Sequence, residues 1–107
     1  MSKLSRRELA KRVVEGHWQR QHATIPLVVN GESMGSAVPH GSTVRVAFHE
    51  RPRLHRGDIV YLRRGDMRVV HRLVAVLGPL CIERGDAARR ARLCLRSSIL
   101  GTVIDVD

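Results

Sequence analysis

Apolar positions recur at two periods along the chain, and the change falls near residue 24. Ahead of it, Leu9, Val13 and Val14 stand at helical spacing behind Ser5-Arg-Arg-Glu8. Ser and Glu three residues apart form a capping box, each side chain able to satisfy the other's backbone N–H. The pattern predicts one short amphipathic helix over residues 5–20. From Thr24 the spacing becomes that of strands: 24–30, 43–48, 59–62, 67–76, 78–83, 93–95 and 102–106 are short apolar or alternating runs. Gly, Pro or Asp punctuates them, and Arg64-Gly65-Asp66 reads as a hairpin tip. The expected fold is mostly β, a compact bent sheet or partly closed barrel with one N-terminal amphipathic helix. It forms one domain over residues 1–107, the helix at 5–20 and the β part at 24–107.

Composition is ordinarily globular, with 43% apolar and 27% charged residues, which excludes a disordered or low-complexity chain. The longest apolar stretch, Leu73 to Ile82, is broken by Gly78 and Pro79 and is about half of the ~20 residues a spanning helix needs. Arg6, Arg7, Lys11 and Arg12 interrupt any signal-peptide pattern at the start. A soluble, cytoplasmic protein without a membrane span is expected.

Nineteen Lys and Arg against ten Asp and Glu give a net charge of +9, which could attract nucleic acid, an anionic surface or an acidic peptide. Single copies of Trp18, Phe48 and Tyr61 offer no stacking platform for single strands. The basic residues are also spread along the chain, with clusters at 3–12, 51–56 and 84–96, so nucleic acid is the lesser expectation. Cys81 and Cys94 lack zinc-site spacing and read as buried small hydrophobes. No metal or cofactor is expected. His17, His22, His40, His49 and His55 read as surface residues.

Phosphate loops, dinucleotide fingerprints and H-E-x-x-H are absent. Gly31-Glu32-Ser33-Met34-Gly35 fits the string of a nucleophile elbow, but the residues after it do not read as the helix that motif requires. What remains is Ser33 in a glycine-flanked loop, His71 inside a strand, and a Gly85-Asp86 turn. Arg-Gly-Asp recurs at 56–58, 64–66 and 84–86, and turn chemistry accounts for it.

In order, these residues resemble the signal peptidase and self-cleaving repressor superfamily of serine peptidases (S24/S26 type), from about Val28 to Ile104. Four blocks carry the resemblance: Gly31-Glu32-Ser33-Met34 with Val38 and Gly41; Arg56-Gly57-Asp58-Ile59-Val60-Tyr61; Val70-His71-Arg72-Leu73; and Glu83-Arg84-Gly85-Asp86-Ala87 with Leu100-Gly101-Thr102-Val103. The resemblance implies the signal-peptidase-like fold, with Ser33 as nucleophile and His71 as general base, as in the Ser-His branch. It places Asp86 on the acidic residue near that histidine, and gives the Ser33 N–H and the Gly31 region to the oxyanion site. Met34 would form a wall of the substrate pocket. The chain departs from the pattern at Ser36 for proline, Ser42 for aspartate and Ala88 for asparagine.

The chemistry agrees with that placement. A serine hydroxyl is a weak nucleophile until a neighbouring base takes its proton, and a neutral imidazole can do so. The implied activity is a soluble serine endopeptidase acting on a peptide or protein, such as leader removal or maturation of a peptide precursor. A self-cleaving repressor is not expected, since no DNA-binding domain fits before Thr24. The alternative is a non-catalytic basic β-module that binds nucleic acid or a partner protein.

Overall fold

Ser5 opens the N-terminal helix as the sequence predicts: its Oγ accepts the Glu8 N–H at 3.0 Å, and α1 runs Arg6–Arg20. The structure is a computed structural model that describes residues 4–107, so Lys3 of the first basic cluster lies outside the described residues. The box is half formed. The Glu8 carboxylate turns away from the cap to bind Arg12 at 2.8 Å and Arg68 at 3.0 Å.

The amphipathic reading is inverted. Leu9, Val13 and Val14 are exposed (54%, 62% and 44%), whereas Glu8 and Glu15 are the buried residues of α1. Glu8, Arg12, Glu15 and Gln19 share one face at i, i+4, i+7 and i+11, and that face meets the sheet. The physical reason is Arg68, whose side chain is nearly buried beneath the helix. It donates to both Glu15 oxygens at 2.7 and 2.8 Å as well as to Glu8, a forked pairing that compensates for burying the charges. Trp18 adds the apolar anchor, packing on Phe48 (5.1 Å), which in turn meets Tyr61 edge-on (5.6 Å). The three aromatic residues thus form one column under the helix.

Seven strands follow, at the seven places where the sequence predicts them: β1 (Thr24–Val28), β2 (Thr43–Phe48), β3 (Ile59–Arg64), β4 (Met67–Leu77), β5 (Leu80–Arg84), β6 (Arg92–Leu95) and β7 (Ile99–Val106). They make one antiparallel sheet in the order β1-β2-β7-β3-β4-β5-β6. β1 and β6 are its two edges, so the sheet bends without closing into a barrel. Gly65-Asp66 turns β3 into β4, as the hairpin reading expected. Three register shifts bend the ladders, at Arg45/Val46, Tyr61/Leu62 and Leu73/Ala75.

Two apolar clusters make up the core. Met34, Val38, Val44, Val46, Phe48, Val70 and Leu100 form one, and Leu54, Val60, Leu62, Leu73, Cys81 and Ile99 the other. Along β4, His71 lies between Val70 of the first cluster and Leu73 of the second.

Candidate active site

Ser33 sits on the loop that joins β1 to β2 and is exposed, while its neighbour Met34 is buried at 2%. Met34 and Val38 plug the loop into the first cluster. Backbone bonds finish the loop: Gly35 N–H to Glu32 O at 3.0 Å, Gly41 N–H to Val29 O at 2.8 Å, and Ala87 N–H to Ser33 O at 2.8 Å. The last of these ties the turn after β5 directly to the serine. An exposed side chain is therefore carried on a backbone fixed from both sides.

His71 lies opposite Val60 on the β3–β4 ladder and is buried. Its Nε2 is 3.1 Å from Ser33 Oγ, and its Nδ1 is 2.7 Å from Glu83 Oε1. Glu83, on β5, is completely buried, and its other oxygen is bound by the Arg64 guanidinium from the end of β3. An ionised carboxylate only accepts, so Nδ1 must carry the proton; in the neutral ring this leaves Nε2 free to accept from the Ser33 hydroxyl. Four residues from three strands and one loop thus form a continuous chain, Arg64–Glu83–His71–Ser33. Such a chain can move a proton from the serine to the imidazole and compensate the positive charge that results.

Residues 4–78, more than half of the chain, match the family described as Peptidase S24-like. The chain belongs to the Peptidase S24-like family. No curated protein matches it.

The family match in this Peptidase S24-like chain contains Ser33 and His71 and stops before Glu83, so it says nothing of the carboxylate that the geometry sets against His71. Asp86, the acidic residue expected there, does not face the ring. Its carboxylate is taken by Arg72, at 2.9 and 2.8 Å, on the outer side of the sheet. That guanidinium holds the Asp86 carboxyl below the usual carboxylate range. Gly31 is also committed elsewhere, since its N–H donates to His40 Nδ1 at 2.9 Å. Met34 both packs in the core and lines the cleft.

Glu83 and Arg64 are the two residues that the sequence reading missed. The available signal was alternation: in Leu80-Cys81-Ile82-Glu83 the carboxylate falls on the same inward face as Cys81. A charge on the inward half of a strand requires a partner.

The cleft in front of Ser33 holds about 490 Å³ and runs between the β1 end and β3–β4. Leu27, Val29, Met34, Tyr61 and Val70 supply apolar walls, with Glu32, Arg64 and Arg68 at its margins. Burial, and then the Glu15 carboxylate, push the Tyr61 phenol up to about 12, so it stays neutral. Among the described residues no group of three His, Cys, Asp or Glu is placed to hold a metal ion, and no helix is long and apolar enough to cross a membrane. His22 stacks on His49 at 4.2 Å, away from the cleft. Cys81 and Cys94 are directly paired across β5 and β6 as free thiols, and burial lifts the Cys94 thiol to about 11.

Proposed function

We propose that this protein is a serine endopeptidase in which Ser33 is the nucleophile, His71 the general base and Glu83 the residue that holds the imidazole. The observation that carries this reading is the unbroken contact from Ser33 Oγ through both His71 ring nitrogens to a buried carboxylate. In the first step Ser33 Oγ attacks the substrate carbonyl while its proton passes to His71 Nε2. Glu83 accepts the Nδ1–H throughout and stabilises the imidazolium without taking its proton. His71 then gives its proton to the leaving amine, and a water molecule, deprotonated at the same nitrogen, releases the acyl group.

Two features suit the cleft to an extended peptide. β1 is an edge strand, so its outer backbone groups can pair with a substrate strand that lies beside Ser33. The Ser33 N–H, which has no acceptor among the described residues, is available to the developing oxyanion.

The test is labelling with a fluorophosphonate probe, combined with cleavage of a proteome-derived peptide mixture read by mass spectrometry. Wild-type protein should label at Ser33 and cut; Ser33→Ala and His71→Ala should do neither while keeping the wild-type circular dichroism spectrum. A folded wild-type protein that neither labels nor cuts would leave the non-catalytic module as the reading.

A further inference from the structure

Resting on that reading, the geometry points to a substrate class: peptides that carry acidic residues within a few positions of the bond cut, held by Arg89, Arg90 and Arg92.

The argument starts at the turn after β5. Its Ala87 N–H binds the Ser33 carbonyl, and Gly35 lies close enough that a Cβ on it would meet the Ala87 methyl at 3.6 Å. This turn is therefore one wall of the nucleophile loop. Arg84 precedes it but pairs with Arg72 across the β4–β5 ladder and so shares the outer face with Asp86, whereas Arg89 and Arg90 follow at once and Arg92 begins β6, all three exposed. Arg89 lies two residues past Ala87, at most about 7 Å along the chain. An extended peptide advances about 3.4 Å per residue, so the long side chains of this segment are within reach of substrate positions near the cut.

The charges around the cleft are divided unevenly. Arg64 is bound to Glu83, and Arg68 to Glu8 and Glu15, so the arginines inside the cleft are already compensated. Asp86, the one acid of the turn, is taken by Arg72. Arg89, Arg90 and Arg92 form no ion pair among the described residues. On the nucleophile loop itself the free charge is that of Glu32, which is exposed at the margin of the cleft. Unpaired positive charge thus follows the turn that touches Ser33, and an acid stands on the serine's own loop. That arrangement attracts an acidic segment, fixes which way along the cleft it lies, and disfavours a basic one. Nucleic acid fits less well, because the aromatic residues that would stack bases are packed in the column under α1.

Each exposed pair contributes about 1.4- to 5-fold, and three together about 3- to 100-fold at low salt. The experiment has two arms. In the first, wild-type protein and a variant with Arg89, Arg90 and Arg92 all changed to Gln digest the same proteome-derived peptide mixture. Wild-type products should be enriched in Asp and Glu near the cut on one side only. The variant should still cut but lose that enrichment, whereas Arg51→Gln with Arg53→Gln should keep it. In the second arm, Ser33→Ala is titrated by fluorescence anisotropy with a labelled decapeptide rich in Glu, its Gln counterpart, and a ten-nucleotide single strand.

The acidic peptide should bind at least about threefold more tightly than the Gln peptide at low salt, lose that advantage in the three-Gln background, and weaken as salt rises. Cleavage without acidic enrichment, or enrichment that survives in the variant, overturns the substrate class while sparing the peptidase reading. Acidic-peptide binding without any cleavage sinks the peptidase reading and leaves the acidic-peptide site standing. Tighter binding of the oligonucleotide through the same three arginines overturns the proposal in favour of nucleic acid.

Discussion

Gly85 lies so close to Ser33 that a Cβ built on it would stand 2.5 Å from the Ser33 carbonyl oxygen and 2.8 Å from its Cβ. No side chain fits there unless the nucleophile loop moves. Gly85→Ala should therefore push Ser33 away from His71 and loosen the Ala87 N–H bond to the Ser33 carbonyl. A displacement of about 1 Å costs on the order of 100-fold in rate. We expect kcat to fall by at least that factor while fluorophosphonate labelling slows in parallel. Unchanged labelling in a folded Gly85→Ala protein would show that the contact does not position the serine.

Glu83 and Asp86 separate cleanly by substitution. Glu83→Gln keeps the side-chain shape but no longer obliges Nδ1 to donate, and loss of the equivalent carboxylate in a Ser-His-Asp site costs about 10⁴-fold in kcat. Asp86→Asn removes an exposed pair with Arg72 and should change kcat by no more than a few-fold. A merely structural Glu83 would lower the melting temperature without changing the acid limb of the pH–rate profile. A positioning Glu83 changes that limb, and Glu83→Asp should recover part of the rate that Glu83→Gln loses. Asp86→Asn, rather than Glu83→Gln, as the severe variant would reverse the assignment.

Asp86 came from the resemblance of the Gly85-Asp86 turn to the family's late block, and the ladder between β4 and β5 explains why it does not reach the ring. From the Leu77–Leu80 pair an unbroken register would set Asp86 opposite His71. The shift between Leu73 and Ala75 moves the partner strand by one residue, which turns Asp86 to the outer face and brings Glu83 to the inner one. A one-residue bulge leaves no mark in hydrophobic alternation, whereas the strands themselves do, and all seven were legible for that reason. Ser33 and His71 were legible because they sit in ordered motifs. The orientation of α1 was not, because the preference of Leu9, Val13 and Val14 for the interior lost to two carboxylates that Arg68 needed. An ion cluster formed by residues about fifty positions apart is invisible to a local pattern.

Met34 joins the serine to the core, and its replacement tests that link. It is 2% exposed within the first apolar cluster, so Met34→Ala should cost about 2–5 kcal/mol by chemical denaturation. Its backbone adjoins the nucleophile, and a cavity beneath the loop lets Ser33 drift. Activity measured well below the lowered melting temperature should therefore also drop, and Met34→Leu, of similar volume, should restore most of both. Lost stability with full activity would mean that the loop is held by its backbone bonds alone.

The clasp between α1 and the sheet has its own pH signature. Arg12 and Arg68, through hydrogen bonds and charge, lower the Glu8 carboxyl to about 2, whereas in an unfolded chain a glutamate titrates near ~4.3. A carboxyl depressed by folding stabilises the folded state in full above its unfolded value. That contribution is lost as pH falls from about 4.3 through about 2, because the unfolded chain takes up the proton first. Glu8→Gln removes the effect at every pH. The melting temperatures of wild type and Glu8→Gln should therefore differ most from neutral pH down to about 4.5, then converge as the pH approaches 2. Arg68 also lines the cleft and keeps its two bonds to Glu15, so losing the Glu8 charge adds one net positive charge beside the substrate path. At neutral pH Glu8→Gln should thus lower stability and raise the KM for a basic peptide more than for an acidic one. A gap in melting temperature that stays constant from pH 7 to pH 2 would show that Glu8 contributes through packing rather than through its charge.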